Sequence, residues 1–121
     1  MTKRDDPAVQ DLLPLSPTVF HMLLALGEGE RHGYALKREM ARRTGGKLNP
    51  GPGVLYGSIN KMVEQGLIEE SAERPDPHLD DERRRYYRIT PFGRRVAQAE
   101  AARMRGLVRL AEQTLGLPEP A

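Results

Sequence analysis

Apolar residues along this chain fall into helical spacing in several stretches and into alternation in one pair. Residues 51–68, GPGVLYGSINKMVEQGLI, are the most informative. Leu55, Ile59, Met62 and Val63 recur at i, i+4, i+7 and i+8, a single apolar stripe on a helix of about 3.6 residues per turn. Half a circle away the front carries Gly53, Gly57, Asn60, Lys61 and Glu64, with Tyr56 along one edge. Two glycines inside a helix cost roughly 1 kcal/mol each relative to alanine, so this bare face serves something other than helix stability. A helix without side chains at the front can sit deep in a groove, and Asn60 and Lys61 carry donors suited to base edges and phosphates. The plainer reading is a loose surface helix that tolerates two glycines.

An earlier helix is predicted from Ser16, an N-cap residue followed by Pro17 at the first helical position, to Gly27. Val19, Phe20, Met22, Leu23, Leu24 and Leu26 cover most of its circumference, so it needs cover on more than one side, and one side suits a partner subunit. His21 in its middle reads as a packing or polar-contact residue rather than a ligand. After the linker Glu28–His32, a second helix runs from about Gly33 to Thr44, with Leu36 and Met40 inward and Lys37, Arg38, Arg42 and Arg43 mostly outward. Gly45 and Gly46 stop it. With the loop Lys47–Pro50 and the glycine-fronted helix, this makes a helix-turn-helix, whose first helix crosses the phosphate backbone while the second enters the major groove.

Leu67–Glu73 reads as a strand and Arg83–Thr90 as its return, around the loop RPDPHLDDE. A hairpin directly after a helix-turn-helix makes a winged helix, in which Arg84, Arg85 and Arg88 reach phosphate or minor groove, and Tyr86 and Tyr87 are assigned to packing. The last helix opens on Thr90 and Pro91 and runs to Gly116. Ala97, Ala101, Met104, Val108, Ala111 and Leu115 follow 4-3-4-3-4 spacing, the seam of a coiled coil. About 25 residues make a rod of about 37 Å, longer than the domain's own core requires, which suits pairing with a second copy. Leu107 and Leu110 widen the seam, so packing against the first helix also remains open. Phe20 and Leu23 are placed at the same subunit interface. The division expected is a flexible arm over 1–15 whose Leu12, Leu13 and Leu15 dock, a winged helix over 16–90, a dimerisation helix over 91–116 and a tail over 117–121.

At 121 residues, 38% hydrophobic and 30% charged, the chain fits one domain with no enzyme-sized cleft. Absence of cysteine removes disulfides, thiolate catalysis and thiolate zinc sites. No signal core or membrane span is evident, which places the chain in the cytoplasm as an expectation. Net charge is +2, but the charges cluster: Arg31 to Lys47 is mainly basic, Glu69 to Glu82 holds seven acids against Arg74, and Arg83, Arg84, Arg85 and Arg88 follow. His78, Asp80, Asp81 and Glu82 have metal-binding chemistry, but adjacent loop acids are ordinarily just solvated, so no metal site is assigned. No phosphate loop or nucleophile elbow occurs. No cofactor and no catalytic residue is expected.

His32-Gly33-Tyr34, Leu55-Tyr56, Gly66-Leu67-Ile68 and Arg85-Tyr86-Tyr87-Arg88-Ile89-Thr90 recur in an order and at distances that resemble the PadR family of bacterial transcriptional regulators, from about Ser16 to Leu115. The resemblance implies a winged-helix DNA-binding domain, a C-terminal dimerisation helix and repression of nearby promoters. Some members respond to phenolic acids or hydrophobic drugs bound between subunits. The single C-terminal helix looks like the family's shorter branch. Two departures stand out: Gly53-Val54-Leu55-Tyr56-Gly57 replaces the Gly-Thr-Leu-Tyr-Pro of many relatives, and the loop between the strands carries Asp76, Asp80, Asp81 and Glu82. Without tryptophan, a drug pocket built on indole stacking is not expected.

The expectation is therefore a mainly α protein with a small β-hairpin, a winged helix-turn-helix plus a long dimerisation helix. It binds double-stranded DNA as a homodimeric repressor, on a near-palindromic site, through Lys37, Arg38, Gly53, Tyr56, Gly57, Asn60, Lys61, Arg84, Arg85 and Arg88. A further reading is a sensor of a small hydrophobic or aromatic effector, held in a cavity between subunits lined by Phe20, Met22, Leu23, Met104 and Val108, with plain interface core as the preferred reading of those five residues. The alternative is a winged helix used only for protein interaction or dimerisation.

Overall fold

Four of the five described helices begin where a side chain can take up a first-turn N–H. Ser16 accepts from Val19 N at 3.2 Å and Thr90 from Gly93 N at 2.9 Å, each ahead of a proline. In the computed structural model, which describes residues 6–71 and 85–118, the order is α1 (Pro7–Gln10), α2 (Pro17–Gly27), β1 (Arg31–His32), α3 (Gly33–Arg43), α4 (Pro52–Glu64), β2 (Ile68–Ser71), β3 (Tyr86–Ile89) and α5 (Pro91–Leu115). Gly45 and Gly46 end α3 with positive φ, +62° and +84°, and the Gly46 N–H closes onto Ala41 O at 2.7 Å.

One core gathers all the helices. Met22, Leu23 and Leu26 of α2, Leu36 and Met40 of α3, Leu55, Ile59 and Met62 of α4, Leu67, Ile68, Tyr87 and the first half of α5 at Val96 and Ala99 are all buried. The stripe expected on α4 therefore holds at three positions and fails at the fourth, because Val63 is 40% exposed. At about 100° per residue, Val63 stands roughly 80° round from Leu55, on the rim of the contact. Leu24 likewise faces out of α2.

Three strands, not two, make the sheet, in the order β1-β3-β2 with both pairings antiparallel. The extra strand is the two-residue Arg31–His32, opposite Tyr87 and Tyr86, in what the sequence reads as a linker. Two residues are too few for alternation to register. The hairpin lies where expected, with Ile68 opposite Ile89 and Ser71 opposite Tyr86. Positions 72–84, with the acidic loop, Arg83 and Arg84, lie outside the described residues.

The docking expected of the N-terminal leucines is seen from Asp6 onward, together with a short helix that the sequence does not announce. Asp6 caps α1 by accepting from Ala8 N at 2.9 Å, Val9 is fully buried, and Leu12, Leu13 and Leu15 pack on the core. Burial of these four apolar side chains ties down a terminus that composition alone marks as mobile. The segment lies against α5, where Glu100 is also fully buried: one carboxylate oxygen accepts from Leu15 N at 2.6 Å and the other from the Arg103 guanidinium. Beyond Arg103, α5 runs on exposed to its end, apart from partly buried Ala111.

Candidate nucleic-acid interface

The junction of β1 and α3 sets the helix-turn-helix. His32 is the N-cap of α3, its Nδ1 accepting from Ala35 N at 3.1 Å, and its ring stands edge-on to Tyr86 with centroids 5.4 Å apart. Gly33 follows because Tyr56 of α4 lies over it: an added Cβ would meet Tyr56 Cε1 at 2.8 Å and its hydroxyl at 2.9 Å. Tyr34 points outward, with the Arg38 guanidinium 5.1 Å from its ring centroid. The His-Gly-Tyr triplet is thus a cap, a clearance and a cation platform.

Across the core from its buried stripe, α4 presents Gly53, Val54, Gly57, Asn60, Lys61 and Glu64, all exposed. A Cβ at Gly53 or Gly57 would meet nothing within 4 Å, so neither glycine is required by packing among the described residues. Gly51 at the N-cap offers no side-chain acceptor to the first-turn amides. Tyr56, expected among the contact residues, is turned partly inward over Gly33 and orients α4 against α3. Beside Lys61, a cleft of about 290 Å³ opens between α4 and the segment before α2, walled by Leu12, Leu15, Val19 and Met62 with Ser58 and Gln65 at hand.

Charge on α3 is largely committed within the fold. Glu39 accepts from Arg43 Nε at 2.9 Å and also from Arg42, while Arg43 reaches Glu28 and Arg31 lies 3.9 Å from Glu39. Hydrogen bonds from Arg42 and then Arg43 hold the Glu39 carboxyl at about 2 against an ordinary 4.5. Lys37 donates to Asn49 Oδ1 at 2.7 Å, which joins α3 to the loop before α4, and Arg38 remains exposed. On the sheet, Arg88 pairs with Glu69 across the strands at 2.8 Å and lies 3.9 Å from Glu30, and Arg85 lies 3.7 Å from Glu70. The neutralising acids are therefore on β2 and before β1. Arg84, the third wing arginine, lies outside the described residues, as do His78, Asp80, Asp81 and Glu82; among the described residues no cluster could hold a metal ion.

The expected subunit seam divides. Leu23 is 1% exposed within the chain and Ala97 packs on its core, so Leu23 is taken up by the fold itself rather than left for a partner. Met22 is likewise buried, so two of the five residues considered for a cavity between subunits pack inside the chain. Phe20 is half-buried and Ala111 partly so. Ala101, Met104, Val108 and Leu115 are exposed, and Leu107 and Leu110 join them on the second half of α5.

A helical core, a helix-turn-helix whose second helix has a bare outer face, and a three-stranded sheet continuing into a long helix define a winged-helix fold. Among the described residues no helix is long and apolar enough to cross a membrane. Residues 22–99 match the transcriptional regulator PadR-like family, and the chain belongs to that family, whose members are DNA-binding regulators rather than enzymes. It is 33% identical over 96 residues to a transcriptional regulator of Mycobacterium tuberculosis, covering 79% of this chain and 80% of that one. It is also 33% identical over 90 residues to an uncharacterized 37.1 kDa protein in transposon TN4556 of Streptomyces fradiae. That match covers 72% of this chain but only 24% of the transposon protein's length. A PadR family transcription regulator from Clostridium difficile shares the fold with a TM-score of 0.66 at 19% identity, over 84% of this chain and 100% of that one.

Proposed function

We propose that the chain is a homodimeric repressor that lays α4 of each subunit into the major groove of a near-palindromic operator. The observation that carries this reading is the outward face of α4, where Gly53 and Gly57 stand in open space beside exposed Asn60 and Lys61. Helix stability argues against both glycines, and no neighbour among the described residues requires either. Close approach of the helix backbone to a duplex does, with Asn60 aimed at base edges and Lys61 at phosphate or base.

Residues 16–90 form the DNA-binding unit and 91–116 the dimerisation helix in this reading, and the chain acts in the cytoplasm. Arg38 meets backbone phosphate, and Lys37 contributes partly by fixing the loop at Asn49. Tyr56 orients the reader. Arg85 and Arg88 reach phosphate only by exchanging Glu70 and Glu69 for it, so the wing contributes less than a row of unpaired arginines would. Exposed apolar residues on the second half of α5 pair the subunits and set the two readers about 34 Å apart.

The test is a titration of the duplex upstream of the chain's own gene against a random duplex over a range of salt. Specific binding gives a log affinity that falls linearly with log salt, and Lys61→Ala lowers both the affinity and, by about one unit, the slope. Equal affinity for both duplexes, with little salt dependence, would move the chain to the alternative of a winged-helix interaction module.

A further inference from the structure

Glu100 is a fully buried carboxylate on α5 that the proposed DNA contacts leave unused. Both of its oxygens are engaged: Oε2 accepts the backbone N–H of Leu15 at 2.6 Å and Oε1 accepts from Arg103 on the next turn. Burying a carboxylate is unfavourable, and a well-packed apolar residue would commonly serve stability as well, so its value here is geometric. A hydrogen-bonded backbone N–H is held within a narrower range of distance and angle than an apolar contact imposes.

The partner it holds lies at a strategic point. Leu15 ends the segment that starts at α1, whose Val9 is buried and which packs along α5. Leu12, Pro14 and Leu15 then form one wall of the cleft whose other wall is Ser58, Lys61 and Met62 of α4. The N-terminal segment therefore touches the rod on one side and flanks the reading helix on the other. We propose that Glu100 is a positioning residue that, through Leu15, makes this segment a brace between α5 and α4, fixing the angle of reader to rod and thereby the half-site spacing the dimer accepts. This rests on the DNA-binding, dimeric reading given above.

The experiment uses the full chain and a duplex selected from a random library by the wild-type protein, then re-made with one or two base pairs added to or removed from between the half-sites. One base pair turns the second half-site by roughly 35° and moves it about 3.4 Å, so a braced dimer loses about tenfold in affinity for each step. Glu100→Gln keeps an oxygen for the Leu15 N–H and retains that discrimination. Glu100→Ala and Leu15→Pro, which remove the acceptor and the donor in turn, bind the best duplex but flatten the preference to about threefold or less. A role in stability alone would lower the melting temperature and leave the spacing profile unchanged. Either folded variant keeping the wild-type profile overturns the brace, and so does Glu100→Gln behaving like Glu100→Ala. If both disrupting variants fail to fold, the segment is simply core and the brace is again overturned. A wild-type protein that selects no duplex at all defeats the DNA-binding reading before the brace is reached.

Discussion

Gly93 lies beneath the backbone of Leu67: a Cβ at Gly93 would stand 1.9 Å from the Leu67 carbonyl oxygen and 2.8 Å from its carbonyl carbon. The same carbonyl accepts from Thr90 N at 3.1 Å, and the Thr90 hydroxyl lies 2.6 Å from Gly66 O while accepting from Gly93 N. The first turn of the rod thus rests directly on the chain entering β2. Backbone cannot step aside as a flexible side chain can. Gly93→Ala is expected to lose about 1–3 kcal/mol or more of stability, although alanine is intrinsically the better helix former by about 1 kcal/mol. Gly106 of the same helix would meet nothing within 4 Å, so Gly106→Ala is the matched control and gains up to about 1 kcal/mol. Thermal denaturation of the two variants followed by circular dichroism decides it; equal melting temperatures would contradict the close approach.

On α4 the same substitution separates stability from function. Gly57 lies in the helix interior with open space around it, so Gly57→Ala stabilises the fold by up to about 1 kcal/mol. On the proposed reading face a methyl would hold the helix away from the groove, so operator affinity is expected to fall by about tenfold or more. A variant that is both more stable and binds duplex as well as wild type would show that the bare face is not the one that meets DNA.

How much of this was legible in the sequence differs by element. Ser16-Pro17 and Thr90-Pro91 mark helix starts because capping chemistry is local, and Gly45-Gly46 marks a stop for the same reason. The stripe of α4 was legible to one residue, Val63, whose exposure depends on how much cover the neighbouring helices provide. The fate of Leu23 was not legible: an apolar residue reads the same whether it packs inside its own chain or against another. Nor were the pairings of Arg85 and Arg88, since the acids that meet them on β2 become neighbours only through strand register. The residues on the exposed face of α4 follow from helical geometry alone; that Leu12, Leu13 and Leu15 dock follows from their apolar character, but where they dock, which depends on a contact from residue 15 to residue 100, does not.

Acid sensitivity follows from the ion-pair network on α3. Glu39 is held at about 2 in the folded chain against 4.5 ordinarily, by hydrogen bonds from Arg42 and Arg43 and the nearby charge of Arg31. A carboxyl depressed on folding contributes stability that is fully present above the unfolded value and is lost as pH falls through the folded one. The window is therefore from about 4.5 down to about 2. Glu100 acts in the same direction: burial pushes its carboxyl up, but the hydrogen bonds from Arg103 and Leu15 N outweigh burial and hold it below the usual range. Glu39→Gln should lower the melting temperature at neutral pH and make the fall across this window shallower, with Glu100 left to supply part of what remains. Melting temperature followed against pH in both proteins checks it; parallel curves would mean that Glu39 is not carrying the acid transition.

The proposed subunit pairing through α5 makes the final prediction. Val108 is 49% exposed on a helix whose second half has only one partly buried residue, Ala111, and Met104, Leu107, Leu110 and Leu115 flank it. In a monomer, Val108→Asp exchanges one exposed side chain for another and moves the melting temperature little. In a dimer packed along this stripe it places two carboxylates in an apolar seam, one from each subunit. Burying two like charges there weakens association by about a hundredfold or more. Sedimentation equilibrium of wild type and variant, run beside operator binding, separates the cases. The expected result is a folded monomer whose affinity for a full operator drops to that for a single half-site. A variant that sediments as the wild type does would place the subunit contact on another surface and remove the basis for the reader spacing.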